Sequence, residues 1–255
     1  MTGVLTATDV REAFARRGVL AAASGTAPEL ARACHAMAGR FARGGRLMAF
    51  GSGCAAGDAA HVVVEFAHPV IVGKRALPAV ALTGPDLVDV TRVSVRPGDI
   101  VIAVAGAADP DVRSIMRRAP AWGATTVWIG SGERPEPGAA DHVLWIDDDD
   151  PMVPATGGFV LLYHLLWELT HVCFEHPGLL APEDCTEEVC ITCSDDGRLG
   201  EVIAARADGM ATVRTANGTE TVETVLVGAV AAGDLLLVHA GTAIGRSGMD
   251  EKAQR

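Results

Sequence analysis

Between residues 46 and 146 short apolar runs alternate with helix-compatible stretches, and few folds accommodate that rhythm. The runs are RLMAF (46–50), 70–72, 78–82, 99–105, 125–129 and 142–146, with segments such as 110–122 between them. Apolar runs without polar alternation suit strands covered on both faces, and the intervening helices supply the cover. The pattern therefore predicts an α/β domain built on a doubly wound, mostly parallel sheet. Two helices are predicted ahead of it, over 8–24 and 28–43, the second opened by Pro28 and Glu29 and stopped by Gly44-Gly45. The long apolar segment 157–178 holds no proline until Pro177, and its length favours a buried helix over a strand.

After HPGLLAPEDCTE the texture changes. Short β-branched runs (VCIT, EVIAA, MATVRT, ETVETVLV, DLLLVHA) are separated by DDGRLG, ADG, ANGTE and AAGD, which are turn signals at strand spacing. The chain is thus divided into an α/β domain over 1–180, a linker over 181–188 and a small all-β barrel module over 189–255. From residue 183 onward the formal charge is −7 of the total −11, so the small module is the more acidic part.

That acidity bears on partners. A net charge of −11 and 4% aromatic residues with a single tyrosine leave neither a basic stripe nor stacking platforms, so nucleic acid is not expected. With 49% apolar and 21% charged residues the chain has material for a core and is not disordered as a whole. No stretch approaches the roughly 18 uninterrupted apolar residues of a spanning helix. The start MTGVLTATDVREAF lacks a basic region followed by an apolar one, so a cytoplasmic protein with no membrane segment is expected. The six cysteines (Cys34, Cys54, Cys173, Cys185, Cys190, Cys193) are scattered, which favours free thiols or metal ligands over disulfides.

Candidate chemistry gathers at FGSGCAAGDAAHVVVEF. The glycines of Gly51-Ser52-Gly53 allow a tight turn from a strand into a helix, whose first amides attract anions. His61 and Glu65 lie four apart on that helix and share one face, where they could hold a metal or exchange a proton; a surface polar pair is the simpler reading of the same spacing. Asp147–Asp150 could gather a cation, or form a solvated loop. His171, Cys173 and His176 have ligand spacing, or are polar residues at a helix end. Cys190-Ile191-Thr192-Cys193 has metal or redox spacing, or is a strand start with two small side chains.

Over roughly residues 8–178 the chain resembles the sugar isomerase (SIS) domains and, among them, the phosphoheptose isomerases. The residues carrying the likeness are the two leading helices, FGSGCAAGDAAHVVVEF, LPAVALT and the helix ending HLLWEL. The resemblance implies a doubly wound sandwich that forms homo-oligomers, tetramers or dimers, with sites at subunit boundaries. It also implies that Gly51, Ser52, Gly53 and Asp58 serve a sugar-phosphate-like ligand, and that His61, Glu65 and His164 bind a divalent metal, zinc, with Glu65 and His164 catalytic if isomerisation occurs. The chain departs from the family in having Cys54 and Ala55 where a phosphate-holding Ser is usual. No hydroxyl lies between Val101 and Val112, and Thr156 stands where a Gln completes the metal site.

From Cys190 to about Gly245 the chain resembles the HypC/HupF hydrogenase-formation chaperones. The likeness rests on VCITCSDDGRLGEVI and, most specifically, on AGDLLLVHAGTAIG, read as one closing strand. It implies a small β-barrel in which Cys190, with His239 as neighbour, transiently holds an iron complex carrying cyanide and carbon monoxide. The partners implied are other hydrogenase maturation proteins and the hydrogenase large subunit. Three readings of the whole chain follow: a hydrogenase maturation factor whose SIS domain is an oligomeric or ligand-sensing platform, a phosphoheptose-isomerase-like aldose–ketose isomerase with an accessory β module, or a purely structural SIS interaction protein whose metal residues are relics.

Overall fold

A computed structural model describes residues 25–69, 71–146, 156–180 and 197–247. The predicted helix over 8–24, the run Asp147–Asp150, the linker 181–188, and Cys185, Cys190 and Cys193 lie outside the described residues.

Helix α1 (Ala27–Ala42) opens on Pro28 and leads into strand β1 (Leu47–Gly51). Helix α2 (Ala56–Ala67), strand β2 (Ala79–Ala81), helix α3 (Leu87–Ser94), strand β3 (Ile100–Val104), helix α4 (Pro110–Arg118), strands β4 (Thr125–Ser131) and β5 (His142–Ile146) and helix α5 (Thr156–Glu175) follow. The five strands form a parallel sheet in the order β2-β1-β3-β4-β5, with Leu47 beside Ile100 and Ile100 beside Thr125. The predicted doubly wound α/β class is what the structure has.

Alternation along the strands divides the interior in two. Leu47, Ala49, Ile100 and Ile102 face one core with Met37 and Phe41 of α1, Val62 and Phe66 of α2, and Leu162 and Leu166 of α5. Met48, Phe50, Val101 and Ala103 face the other with Val112, Ile115 and Met116 of α4 and with Trp122. Helix α5 is long and apolar enough to cross a membrane by length and composition, but it packs here as a core helix, with half of that stretch buried.

Four sequence expectations change. Ile71 and Val72 form no strand: they sit in a turn ending at Gly73 (φ +92°), with Val72 99% exposed, because β2 already takes the edge beside β1. The helix over 110–122 stops at Arg118 and tightens into a 3₁₀ turn at Ala119–Trp122, where Pro120 has no N–H to donate. Helix α3, rich in β-branched residues, was not singled out from the sequence. The fourth change lies in the barrel, where AGDLLLVHAGTAIG is two strands and not one.

Those strands are β9 (Leu235–His239) and β10 (Thr242–Arg246), joined at Ala240 (φ 47°) and Gly241 (φ 81°). Positive φ at both central residues gives the turn whose twist suits an antiparallel hairpin. With β6 (Arg198–Ala205), β7 (Met210–Thr215) and β8 (Gly218–Glu223) they close a barrel in the order β10-β8-β7-β6-β9. Alternating burial on β7 sends Ala211 and Val213 into a small core with Val202, Val222, Leu236, Val238 and Ala243.

The barrel is seated on the α3/α4 side of the sheet. Glu201 of β6, 3% exposed, accepts from Trp122 Nε1 at 2.8 Å and from Arg118 Nη1 at 3.0 Å. Arg214 of β7 donates to the carbonyls of Arg92 and Val95, each at 2.7 Å, and its guanidinium lies 5.7 Å from the Trp122 ring centre. Leu235 completes the apolar cluster around Trp122.

Candidate functional site

The turn out of β1 is shaped by its glycines. A Cβ on Gly51 would lie 2.1 Å from the Ala55 carbonyl oxygen, and Gly53 has φ +56°, so the chain folds straight into a 3₁₀ turn (Gly53–Ala55) and then α2. This places the start of α2 at the carboxyl end of β1, beside β3, where the strand order reverses and open α/β sheets bind ligands. Ser52 makes no side-chain cap, and Cys54 is exposed. The corresponding turn after β3 is different: Asp109 accepts from the amides of Asp111 and Val112, both at 3.0 Å, so the first amides of α4 already face a carboxylate.

One turn into α2, the i,i+4 spacing brings His61 and Glu65 together, with His61 Nε2 3.1 Å from Glu65 Oε1. Helix α5 packs across α2 and adds His164, whose Nε2 is 3.4 Å from the same oxygen. One ligand atom from each residue lies within 4.8 Å of the others, and among the described residues this is the group of His, Cys, Asp and Glu that could hold a metal ion. Glu65 is 12% exposed, while His61 (42%) and His164 (40%) keep an open side.

The remaining ring nitrogens decide what the cluster can do. His164 Nδ1 is 2.6 Å from the Val160 carbonyl, which only accepts, so Nδ1 carries a hydrogen and donates it; with no second ring hydrogen, Nε2 offers its lone pair toward Glu65. His61 Nδ1 is 2.8 Å from the Tyr163 hydroxyl, and the Asp58 carboxyl is near enough to act on both. Burial raises the Asp58 carboxyl, opposed by His61 and Tyr163, and burial with the nearby Asp58 and Glu65 charges pushes the Tyr163 phenol up to about 12. Where both imidazoles turn lone pairs to this carboxylate oxygen, a proton or a cation must lie between them; where one carries its hydrogen on Nε2, it donates to Glu65 instead. Ligand atoms about 2.1 Å from a tetrahedral zinc would be roughly 3.4 Å apart, close to the two spacings seen.

The structure therefore brings His61, Glu65 and His164 to one place and sets Asp58 behind His61. Tyr163, the chain's single tyrosine, was not singled out, although a lone phenol within an apolar helix and next to a histidine was a readable signal. The Thr156 side chain lies outside those described. His171 turns Nδ1 to the Trp167 carbonyl at 2.9 Å and Nε2 to the Arg75 carbonyl at 3.0 Å, so neither nitrogen is aimed at Cys173 or His176. His239 ends β9 at the closing hairpin. Its placement relative to Cys190 falls outside the described residues.

The fold and the clustered residues define an SIS-type α/β domain carrying a small β-barrel, and known proteins agree on both halves. The chain is 30% identical over 165 residues to a phosphoheptose isomerase of Nitratidesulfovibrio vulgaris, covering 57% of this chain and 78% of that protein. It is 30% identical over 171 residues to one of Solidesulfovibrio magneticus, covering 59% and 81%. A solved phosphoheptose isomerase from Francisella tularensis shares the fold at TM-score 0.55 and 19% identity, over 66% of this chain and 100% of that one. Residues 185–255 match the HupF/HypC family. The chain belongs to the phosphoheptose isomerase family by its α/β domain, to which a HupF/HypC-type module is fused.

Proposed function

We propose that this chain is a hydrogenase maturation factor. Its C-terminal module, divided from the α/β domain as 189–255 from 1–180, handles the iron fragment bearing cyanide and carbon monoxide on its way to a nickel–iron hydrogenase large subunit. The observation that carries the reading is the HupF/HypC match over 185–255 on a closed five-stranded barrel. Cys190 holds the iron cargo as thiolate and His239 is its neighbour. The acidic residues around Cys190 (Glu187, Glu188, Asp195, Asp196) disfavour a thiolate, so a positive group or the cargo itself offsets them.

In the same reading the α/β domain is a cytoplasmic homo-oligomeric platform, dimer or tetramer, with a divalent ion, zinc, held by His61, Glu65 and His164. Two imidazole lone pairs and a carboxylate are a zinc-type donor set that leaves a coordination position open. When bound, such an ion supplies Lewis acidity at that open position. The chain's own part is to present the three ligands and to shield Glu65 from water. Gly51, Ser52, Gly53 and the amides of α2 offer an anion seat for a sugar-phosphate-like ligand.

The second reading, an aldose–ketose isomerase with Glu65 and His164 as acid and base, draws on the 30% identity to phosphoheptose isomerases. It is the weaker one. Cys54 and Ala55 leave the place of the family's phosphate-holding Ser without a hydroxyl, and Asp109 fills the second loop with negative charge.

In a hydrogenase-producing host lacking this gene, Cys190→Ala is expected to leave the hydrogenase without its cofactor, while Cys193→Ala restores most of the activity. Full rescue by both variants overturns the thiolate role, and failure of both moves it to a paired Cys190/Cys193 site. Turnover of sedoheptulose 7-phosphate by the purified protein would favour the isomerase.

A further inference from the structure

We propose that the cleft between α4 and the loop following β4 binds a small phosphate monoester, its dianionic head on Arg113 and Arg117, and that the bound ligand joins the last barrel strand to the α/β domain. The cleft shares no residue with the His61, Glu65 and His164 cluster or with the turn at Gly51, Ser52 and Gly53, and it does not rest on the metal reading.

The cleft holds about 770 Å³, within the roughly 300–1,000 Å³ usual for small-molecule sites. One wall is the outer face of α4. Val112, Ile115 and Met116 turn into the core beneath that helix, and the helical repeat leaves Arg113 and Arg117, four apart, exposed side by side along the cleft. Two like charges so placed repel each other, and no described carboxylate forms an ion pair with either. In a chain with 21 basic against 32 acidic residues, two unpaired guanidiniums on one wall reverse the local sign of charge. A phosphate dianion satisfies both at once and matches the fork of each guanidinium, whereas a carboxylate would neutralise only one.

The opposite wall is the loop 133–139, which the fold holds ready. Pro135 and Pro137 fix its backbone, and Gly132 (φ +79°) and Gly138 (φ +81°) supply the turns at its ends. Trp145 Nε1 donates to the Gly132 carbonyl at 2.7 Å, and the Ala139 amide donates to the Glu136 carbonyl at 3.1 Å. Glu133 and Glu136 line this wall, and ionised carboxylates only accept, so the body of the ligand brings donors to them as hydroxyl or amino groups. The two walls carry opposite charges, yet neither guanidinium of α4 closes an ion pair across the gap. Ser247, directly after β10, completes the lining, and its amide donates to the Leu235 carbonyl of β9 at 2.9 Å. A ligand seated here therefore touches both the α/β domain and the barrel, and such boundaries are favoured places for ligand sites.

The test is ³¹P spectroscopy of the full-length protein with inorganic phosphate and glycerol 3-phosphate as probes, together with amide hydrogen exchange over residues 242–247. Wild type is expected to bind both at millimolar concentration, the ester more tightly. Arg113→Gln and Arg117→Gln should each weaken binding about 5- to 10-fold, and the double variant should abolish it with its thermal melt intact. Arg43→Gln combined with Arg206→Gln removes the same charge from exposed positions elsewhere and should leave binding unchanged. Ligand should slow exchange at 242–247 in wild type and not in the Arg113/Arg117 double variant. Failure of both probes to bind at about 10 mM, unchanged binding in the Arg113/Arg117 double variant, or an equal loss in both double variants overturns the site, the last outcome by reducing it to overall charge. Binding of the ester no tighter than inorganic phosphate overturns the role of Glu133 and Glu136. Binding without any change at 242–247 overturns the link to the barrel and leaves the anion site standing.

Discussion

Two carboxylates on opposite sides of the sheet each gather nitrogen-bearing side chains, of two different kinds. Glu201 receives the Trp122 indole N–H on one oxygen and the Arg118 guanidinium on the other. Both are obligate donors, so the buried charge is fully satisfied. Glu65 faces His61 Nε2 at 3.1 Å and His164 Nε2 at 3.4 Å, and an imidazole nitrogen can carry either a hydrogen or a lone pair. Similar composition therefore makes a joint in one place and a cluster that could hold a metal ion in the other. What separates them is that the indole and guanidinium nitrogens must donate whereas imidazole nitrogens can also accept, and a buried acceptor is stable only when its partners donate. The joint fixes the barrel to the α3/α4 side and leaves the α1, α2 and α5 layer to the cluster. Within one chain the sheet lies between that cluster and the described barrel.

The largest effect should come from breaking the completed side. Removing the Glu201 carboxylate leaves the buried Trp122 N–H without its acceptor and the partly buried Arg118 without its counter-charge, and loss of one partner from a buried pair costs about 3–5 kcal/mol. Urea unfolding of Glu201→Ala should show that loss. A change under about 1 kcal/mol would mean that water reaches the joint and that the barrel is held mainly by apolar contacts around Leu235.

On the Glu65 side, substitution and ion removal should give the same answer, which sharpens the contrast. With free zinc at about 100 times its dissociation constant, binding adds about 2.7 kcal/mol to stability, and a chelator should take that away. His164→Ala should lose both the ion and the response to chelator. A melting temperature indifferent to chelator in wild type would reduce Glu65 to an ordinary polar contact.

The division between these two regions was only partly legible in the sequence. The parallel sheet could be read because uninterrupted apolar runs such as IVIAV have no other stable use, and the barrel because its turn residues recur at strand spacing. His61 and Glu65 came from i,i+4 spacing, but nothing in local pattern joins them to His164, 99 residues further on; that link came from resemblance to a family. Glu201 and Trp122 were invisible for a related reason. Their contact spans 79 residues, and a lone Glu in a strand looks like any solvated charge until tertiary packing buries it. The Ala240-Gly241 hairpin was missed because alanine rarely accepts positive φ, so the turn carries a weak signal.

A third carboxylate gives the comparison its lower bound. Glu220 of β8 accepts from Arg198 of β6 through two bonds, Nε to Oε1 at 2.8 Å and Nη2 to Oε2 at 2.5 Å, so like Glu201 it is fully paired. Unlike Glu201 it lies at the barrel surface, with 28% of its side chain exposed against 3%. The Arg198 bond holds its carboxyl below the ordinary value of 4.5, against a smaller opposing effect of burial, and Glu220 in turn raises Arg198. A carboxyl whose folded pKa is depressed stabilises the fold above its unfolded pKa and loses that contribution as pH falls through the folded value. Water on both partners keeps the gain small, at most about 1 kcal/mol. Glu220→Gln should therefore be slightly less stable than wild type at neutral pH. The two should converge as pH falls below 4.5, and salt should narrow the gap at any pH. A penalty as large as that of Glu201→Ala would show that geometry alone, and not burial, makes a paired carboxylate into a joint.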